Sequence, residues 1–134
     1  MKKHLKILIV IGFFILGNNL FAQVSFSCTY REYCSWNDFT EKFGDCKGYE
    51  ESSLFVMNEA ETMFTHTIET MQSTYYVTSK EYDAKNDVYT YFATSDVGNK
   101  YYYIFDPKNK EVRALYTDDN GKSMLLRFYV KAIF

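Results

Sequence analysis

From residue 53 onward, the chain alternates short runs rich in Tyr, Thr, Val, Phe and Ile with turn-forming residues. The runs recur about every ten residues, a spacing typical of consecutive β-hairpins. None of them keeps an apolar period of 3.6 over the length of a helix. The pattern therefore predicts seven strands, at residues 53–57, 61–68, 73–80, 87–94, 100–106, 111–117 and 122–132.

The last of these runs shows which side of the sheet is buried. Phe128 and Val130 share one face with the other even-numbered residues, whereas Arg127 and Lys131 lie on the opposite face. Side chains alternate between the two faces of a strand, and charged groups resist burial. We therefore predict that the face of Phe128 points into the core.

The connection between the last two strands follows from the same pattern. Val112 belongs to the inner face of its strand, and it meets Phe128 only if the connecting loop has an odd number of residues. A three-residue loop at 119–121, with Gly121 in the left-handed conformation, satisfies this requirement. A two-residue turn would bring Arg127 into the core.

The neighbouring strands carry most of the tyrosines. The same scheme places Tyr101, Tyr103 and Phe105 on the inner face with Val112, opposite Phe92 and Val88. It places Tyr89, Tyr91 and Tyr102 next to one another on the other face. We take these three tyrosines as candidate ligand-binding residues, on a platform for a sugar or a peptide. The favoured alternative is packing under Trp36, Phe39 and Phe43, because large exposed apolar patches are uncommon on monomers.

The stretch before residue 53 gives a weaker pattern. Residues 24–30 are typical of a strand, residues 36–43 of a short helix or a hairpin, and residues 47–51 of a loop. Taken together, the chain from residue 23 to 134 is predicted to be one all-β domain. Its seven to nine antiparallel strands would follow one another in a meander and form a small barrel or a two-layer sandwich.

Residues 1–22 have the composition of a secretory signal peptide. Three lysines precede the apolar run at 7–17, and Leu20-Phe21-Ala22 forms a cleavage site before Gln23. As a helix, this run would cover about 16 Å, against roughly 30 Å of hydrocarbon in a bilayer. We therefore expect a secreted or periplasmic protein with no membrane span in the mature chain.

The charge balance excludes a nucleic-acid partner. The chain has 15 Lys and Arg against 17 Asp and Glu. Removing residues 1–22 takes away three lysines and no acidic residue, which leaves a net charge of −5. Binding to DNA or RNA requires a basic surface, and the composition offers none.

Three cysteines, Cys28, Cys34 and Cys46, lie close together in the sequence. Export to an oxidising compartment predicts at least one disulfide bond between them. A hairpin that turns near Asn37 would place Cys28 opposite Cys46, which is the pairing that we favour. The alternative is Cys34–Cys46.

The sequence contains no pattern that predicts a catalytic site or a metal site. His66 lies on the face of Phe64 and is interpreted as a hydrogen-bonded core histidine. The acidic residues around it match no metal-ligand spacing, and the acidic segment 118–121 is a hairpin tip rather than a calcium loop. Cys34 has no base or activating motif around it. We therefore expect no enzyme activity, metal or cofactor.

The export segment ending in Phe-Ala-Gln, the Tyr-, Asn- and Lys-rich composition and the short hairpins resemble small secreted β-proteins of Bacteroidetes-type bacteria. The resemblance implies periplasmic or extracellular residence and transfers no catalytic residues.

The predicted function is a secreted, non-enzymatic binding or interaction module. It would hold a small apolar ligand in a barrel mouth, or a protein or glycan partner on the tyrosine face. The alternatives are a structural, envelope-associated protein without a small ligand, and a small hydrolase. An interior cavity lined by Tyr103, Phe92 and Phe128 would support ligand binding, and a filled interior would argue against it.

Overall fold

A computed structural model describes residues 23–134, so the predicted signal peptide lies outside the described residues. Within this part, eight antiparallel strands follow one another and close into a barrel, which confirms the predicted meander. The strands are β1 (Val24–Asn37), β2 (Lys42–Met57), β3 (Met63–Ile68), β4 (Met71–Asp83), β5 (Val88–Ser95), β6 (Lys100–Asp106), β7 (Glu111–Thr117) and β8 (Ser123–Ile133). No helix in residues 23–134 has the length and apolar character needed to cross a membrane.

The barrel closes because β1 is hydrogen-bonded to β2 on one side and to β8 on the other. The closure extends to the last residue, since Ser25 and Phe134 exchange backbone N–H···O bonds of 2.7 and 2.9 Å. A closed sheet leaves no unpaired edge for another strand to join. Of the two predicted architectures, barrel and sandwich, the chain therefore adopts the barrel.

The centre of the barrel is filled by aromatic side chains. Five rings, each at most 2% exposed, meet there: Phe55, Phe64, Tyr103, Phe105 and Phe128. The ring of Phe55 has its centroid 5.0 to 6.4 Å from those of the other four. These distances are typical of tilted and edge-to-face aromatic packing. We call this group the aromatic plug, because it separates the two ends of the barrel.

The hairpin of β7 and β8 forms as predicted. Val112 lies opposite Phe128, and both are buried. Asp118 donates a backbone hydrogen bond of 2.9 Å to Lys122, which closes the three-residue loop, and Gly121 has a φ of 79°. The odd loop length brings the two apolar faces together.

The predicted register of β5 is wrong. Tyr91 pairs with Tyr103 and Tyr89 pairs with Phe105, so both β5 tyrosines point into the barrel. Phe92 points outward, where it pairs with Tyr102. Apolar or aromatic residues occupy both faces of β5, so alternation of hydrophobicity does not identify the inner one. The loop of five residues between the paired Thr94 and Lys100 determines which face points inward.

The first hairpin is longer than predicted. Residues 36–43 form its tip, and residues 47–51 are part of strand β2 rather than a loop. Asn37 pairs with Lys42 and Tyr33 with Lys47. The turn therefore lies further along the chain than the position near Asn37 assumed for the cysteine pairing.

The predicted disulfide Cys28–Cys46 is wrong, because the shifted turn brings Cys34 next to Cys46. These two form the disulfide, with Cα atoms 4.2 Å apart. Cys28 lies opposite Ser53 and remains a free, buried thiol. The disulfide is consistent with an oxidising compartment.

The thiol of Cys28 gives a direct test of this pairing. Burial raises its pKa to about 12, and the neighbouring Ser53 side chain opposes this shift. Since only the thiolate reacts, we expect no labelling by a thiol reagent at pH 8 in the native protein and one labelled thiol per chain in denaturant. The unfolded thiol ionises near pH 8.5, so stability should fall as the pH rises above about 9.

A Cys28→Ala variant is the control for this experiment, and it should show no labelled thiol in either state. Rapid stoichiometric labelling of the native protein would contradict the buried position of Cys28. Three reactive thiols in denaturant would contradict the disulfide.

Two irregularities in strand pairing place charged side chains on the inner face. In β1, the pairing shifts between Cys28 and Tyr30, and Arg31 consequently faces inward beside Phe128. In β4, a shift between Val77 and Ser79 places Lys80 on the side of Tyr91. A bulge inserts an extra residue and exchanges the two faces of the strand beyond it. Each shift therefore places one basic residue near an end of the barrel.

Candidate functional site

A recess opens into the barrel at the end where β1 begins and β8 ends. It has a volume of about 260 Å³. Apolar and aromatic side chains from four strands form its inner wall: Val24, Phe26, Met57, Tyr89, Tyr91 and Phe105. We call it the mouth cavity. Its floor is Phe105, a member of the aromatic plug, so a ligand can enter the barrel mouth but not its centre.

The rim of the mouth cavity is acidic. Glu59, Glu61 and Asp87 line it together with the neutral Gln23 and Asn58. Within the described part of the chain, no Lys, Arg or His lines this cavity. A polar group of a ligand at this rim therefore meets carboxylates and amides.

Glu61 is held in place by two neighbours. One of its carboxylate oxygens accepts a hydrogen bond of 2.8 Å from Lys80, and the other accepts one of 2.8 Å from the Tyr91 hydroxyl. The bond from Lys80 lowers the pKa of Glu61, and the Tyr91 hydroxyl adds to this effect against the opposing influence of partial burial. Glu61 is consequently ionised at neutral pH and fixed at the rim.

The loop between β2 and β3 positions Glu61. Asn58 closes this loop, since its Oδ1 accepts backbone N–H bonds from Thr62 at 2.9 Å and from Met63 at 3.2 Å. Glu61 has a φ of 55°, in the left-handed region that non-glycine residues rarely adopt. Strained backbone is often retained where a side chain serves a function.

Three tyrosines form a row beside this rim. Tyr82, Tyr89 and Tyr91 follow one another, with ring centroids 4.5 and 6.5 Å apart. Tyr82 donates a hydrogen bond of 3.0 Å to Asp87, which raises the pKa of its hydroxyl to about 12. Burial, followed by the bond to Glu61, raises the pKa of Tyr91 as well. Both hydroxyls therefore stay protonated donors.

The predicted tyrosine platform does not form. Tyr89 and Tyr91 line the mouth cavity, whereas Tyr102 lies on the outer surface and is 43% exposed. The structure thus brings two of the three predicted residues together and separates the third.

Tyr102 lines an outer groove of about 400 Å³ together with Trp36 and Phe43. The predicted cover of this face is therefore present in part. Phe39, in contrast, is fully exposed.

A smaller recess of about 140 Å³ lies at the opposite end of the barrel. Arg31, His66, Ser73 and Tyr75 provide its polar lining, and Ile68 and Met71 its apolar lining. His66 is buried, as predicted, but its Nε2 has no hydrogen-bond partner in residues 23–134, so the predicted satisfied histidine is wrong in this respect. We call this recess the Arg31–His66 cavity.

One group in the described residues has the composition of a metal site. Ligand atoms of Glu32, Cys34 and Cys46 lie within 4.8 Å of one another. Zinc and related ions bind thiolates, and the disulfide between the two cysteines removes them. Glu32 instead accepts a hydrogen bond of 2.7 Å from Arg127.

Sequence reasoning missed Glu61 at the mouth cavity, its partner Lys80, and Arg31 at the opposite end. The last two depend on strand bulges, for which the local sequence has no clear signal. Glu61 had a weak signal, since an Asn just after a strand often caps a loop that presents the following side chains.

Comparison of the chain with protein-family models, with curated proteins and with solved structures finds no match in any of the three.

Proposed function

We propose that the protein is a secreted, non-enzymatic binding module and that the mouth cavity takes a small apolar molecule with a protonated amine. The observation that carries the proposal is the mouth cavity itself, an apolar and aromatic recess with a fixed carboxylate at its rim. Ligand sites typically combine an apolar wall with a few well-placed polar groups. The leader-like residues 1–22 and the disulfide support export.

The wall of the cavity suits a compact aromatic or aliphatic body. Phe26, Met57 and Phe105 are almost completely buried at its base. Tyr89 and Tyr91 stand beside them with nearly parallel rings, at an interplanar angle of 4°. Apolar surface that is buried when a ligand binds here contributes roughly 25 cal/mol per Å² to the binding free energy. The apolar part of the ligand would therefore provide most of the affinity.

The rim determines the charge of the preferred ligand. Glu59, Glu61 and Asp87 carry the only charges of the lining among the described residues. Lys80 neutralises Glu61 in part, and the other two carboxylates lie at the cavity without a basic residue in its lining. A protonated amine near these groups and near the tyrosine rings gains both ionic and cation–π attraction. An anionic end would meet repulsion.

Phenethylamine, 2-phenylethanol and 3-phenylpropionate form a matched probe set, because they share a ring and differ in the charge of the polar end. We expect the amine to bind about tenfold more tightly than the carboxylate, with the alcohol in between. Isothermal titration calorimetry at pH 7 measures the three affinities. Glu61→Gln should reduce the ratio between amine and carboxylate.

Val24→Trp is the blocking variant, because Val24 lines the cavity and is partly exposed. The larger ring should fill the mouth and reduce phenethylamine binding about tenfold or more. Val97→Trp is the matched control, since Val97 is exposed in the β5–β6 connection at the other end of the barrel. Equal binding by both variants, or a preference for 3-phenylpropionate, would overturn the proposal.

A further inference from the structure

The Arg31–His66 cavity lies at the opposite end of the barrel from the mouth cavity. The aromatic plug separates the two, so a molecule in one does not reach the other. The turn between β3 and β4 closes one side of the cavity through Ile68 and Met71. Its volume of about 140 Å³ corresponds to roughly four or five water molecules at about 30 Å³ each.

His66 is the first unusual feature of this cavity. Only 8% of the residue is exposed, and its Nε2 has no hydrogen-bond partner within residues 23–134. The imidazole stacks on Phe55 at 4.1 Å and meets the edge of Phe128 at 4.9 Å, which fixes its plane. Buried polar atoms are nearly always paired, so an unpaired one needs an explanation. Protonation of this imidazole is therefore unfavourable unless a negative charge binds beside it.

Arg31 is the second unusual feature. Its guanidinium lies 5.4 Å from the centre of the Phe128 ring, on the inner face of β1. One of its nitrogens donates to Glu51 at 3.3 Å, which is its one side-chain partner among the described residues. A guanidinium has five N–H donors in a planar fork that matches a carboxylate. Most of this donor capacity is therefore free for a ligand.

We propose that the Arg31–His66 cavity binds the carboxylate of a small organic acid. Arg31 donates to the carboxylate through the edge that Glu51 leaves free, and the imidazole of His66 lies beside it in the same lining. Ser73 and Tyr75 offer hydroxyls in the same lining. Charge-assisted hydrogen bonds of this kind are stronger than hydrogen bonds between neutral groups.

The charges around the cavity favour a monoanion over phosphate. Arg31 is the basic residue of the lining and already shares its charge with Glu51. Burial and the charge of Arg31 hold the pKa of His66 near 4, so the free imidazole is neutral at pH 7. A phosphate dianion would leave more negative charge unbalanced in a low-dielectric site. A single carboxylate requires only one compensating charge.

Binding should become tighter as the pH falls. The titratable groups that line the cavity together with His66 are Arg31 from β1 and Tyr75 from β4, and Glu51 from β2 is bonded to Arg31. A bound carboxylate adds a negative charge beside the imidazole and favours its protonated form. The ligand and a proton therefore bind together, which predicts an affinity about fivefold or more higher at pH 5.5 than at pH 7.5.

The test is a titration of the full chain with acetate, followed through the imidazole signals of His66 in NMR spectra of ¹⁵N-labelled protein. The only other histidine in the sequence is His4, and a His66→Phe variant identifies the signals of His66. We expect a saturable shift with acetate that tightens at lower pH. Arg31→Met should weaken acetate binding about tenfold or more, and Arg31→Lys should have an intermediate effect.

Inorganic phosphate and chloride are the comparison titrations. The proposal is overturned if acetate causes no saturable shift, if phosphate or chloride binds as tightly as acetate, or if the affinity is independent of pH. Val24→Trp, which blocks the mouth cavity, should leave acetate binding unchanged, so the two proposals fail or succeed separately. His66→Phe keeps an aromatic ring against Phe55, and its amide spectrum shows whether the barrel is intact.

Discussion

Replacing Phe55 by Ala should lower the free energy of unfolding by about 4 kcal/mol. Phe55 is completely buried, and its ring contacts the other four rings of the aromatic plug as well as His66. Truncating a buried Phe removes the transfer free energy of the ring and leaves a cavity, which together typically cost about 3–5 kcal/mol. The neighbouring rings belong to three different strands, β3, β6 and β8, so they cannot move together to fill the space. Urea unfolding followed by tyrosine fluorescence measures the loss.

Phe39→Ala is the matched control, because Phe39 is fully exposed at the tip of the first hairpin. Its stability should stay within about 0.5 kcal/mol of the wild type. A loss below about 1 kcal/mol for Phe55→Ala would contradict a filled barrel centre. In that case, the deep interior would again be a candidate ligand site.

The filled centre of the barrel moves the candidate ligand sites from the interior to the two ends. Sequence analysis named an interior cavity lined by Tyr103, Phe92 and Phe128 as the feature that would support ligand binding, but Phe92 points outward and the other two belong to the plug. An enclosed ligand is therefore excluded by packing. The remaining room lies at the two ends, each of which has its own polar groups.

Sequence alone predicted the strands of the second half of the chain well, because turn residues there are distinct. Gly121 and the odd loop before β8 fixed the register, since only one face of β8 avoids charged side chains. The choice between a barrel and a sandwich depended instead on whether β1 pairs with β8. That contact joins residues from opposite ends of the domain, and no local pattern encodes it.

The register of β5 could not be predicted in the same way. Its two faces, Tyr89 with Tyr91 and Val88 with Phe92, are similar in hydrophobicity. Hydrophobic alternation therefore has no preferred solution there, and loop length decides the outcome. The same ambiguity made the tyrosines look like an outer platform, although two of them line the mouth cavity.

The predicted disulfide pairing was wrong for a geometric reason. Partners in a hairpin lie at equal distances from its turn, so an error of a few residues in the turn selects a different cysteine. The turn near Asn37 would have paired Cys28 with Cys46, whereas the observed pairing of Asn37 with Lys42 selects Cys34.

The candidate sites depend on features that interrupt the regular pattern. Arg31 and Lys80 face inward only because a bulge precedes each of them. Glu61 reaches the mouth only because its loop adopts a left-handed backbone. Bulges are common next to binding sites, where they redirect a side chain. The places where alternation fails are thus those where charge enters the barrel, Glu61 with Lys80 at the mouth and Arg31 at the opposite end.

The stability of the protein should fall by about 2 kcal/mol between pH 7.5 and pH 5 because of His66 alone. Burial and the charge of Arg31 lower the pKa of this imidazole to about 4 in the folded state. In the unfolded chain it is about 6.5, so the unfolded state binds more protons as the pH falls from 6.5 to 4. Stability is then fully present above pH 7 and is lost through this window. Urea unfolding in buffers free of carboxylic acids measures it.

His66→Phe separates this effect from that of other titrating groups. The variant keeps an aromatic ring against Phe55 but has no proton to bind, so its stability should change about 2 kcal/mol less over the same range. The slope of the unfolding free energy against urea concentration should be similar for both proteins, because they expose similar surface on unfolding. The same pH dependence in both would mean that the imidazole is protonated in the folded barrel. Adding acetate to the wild type at pH 5 should restore part of the lost stability, because a ligand that binds only the folded state stabilises it by mass action.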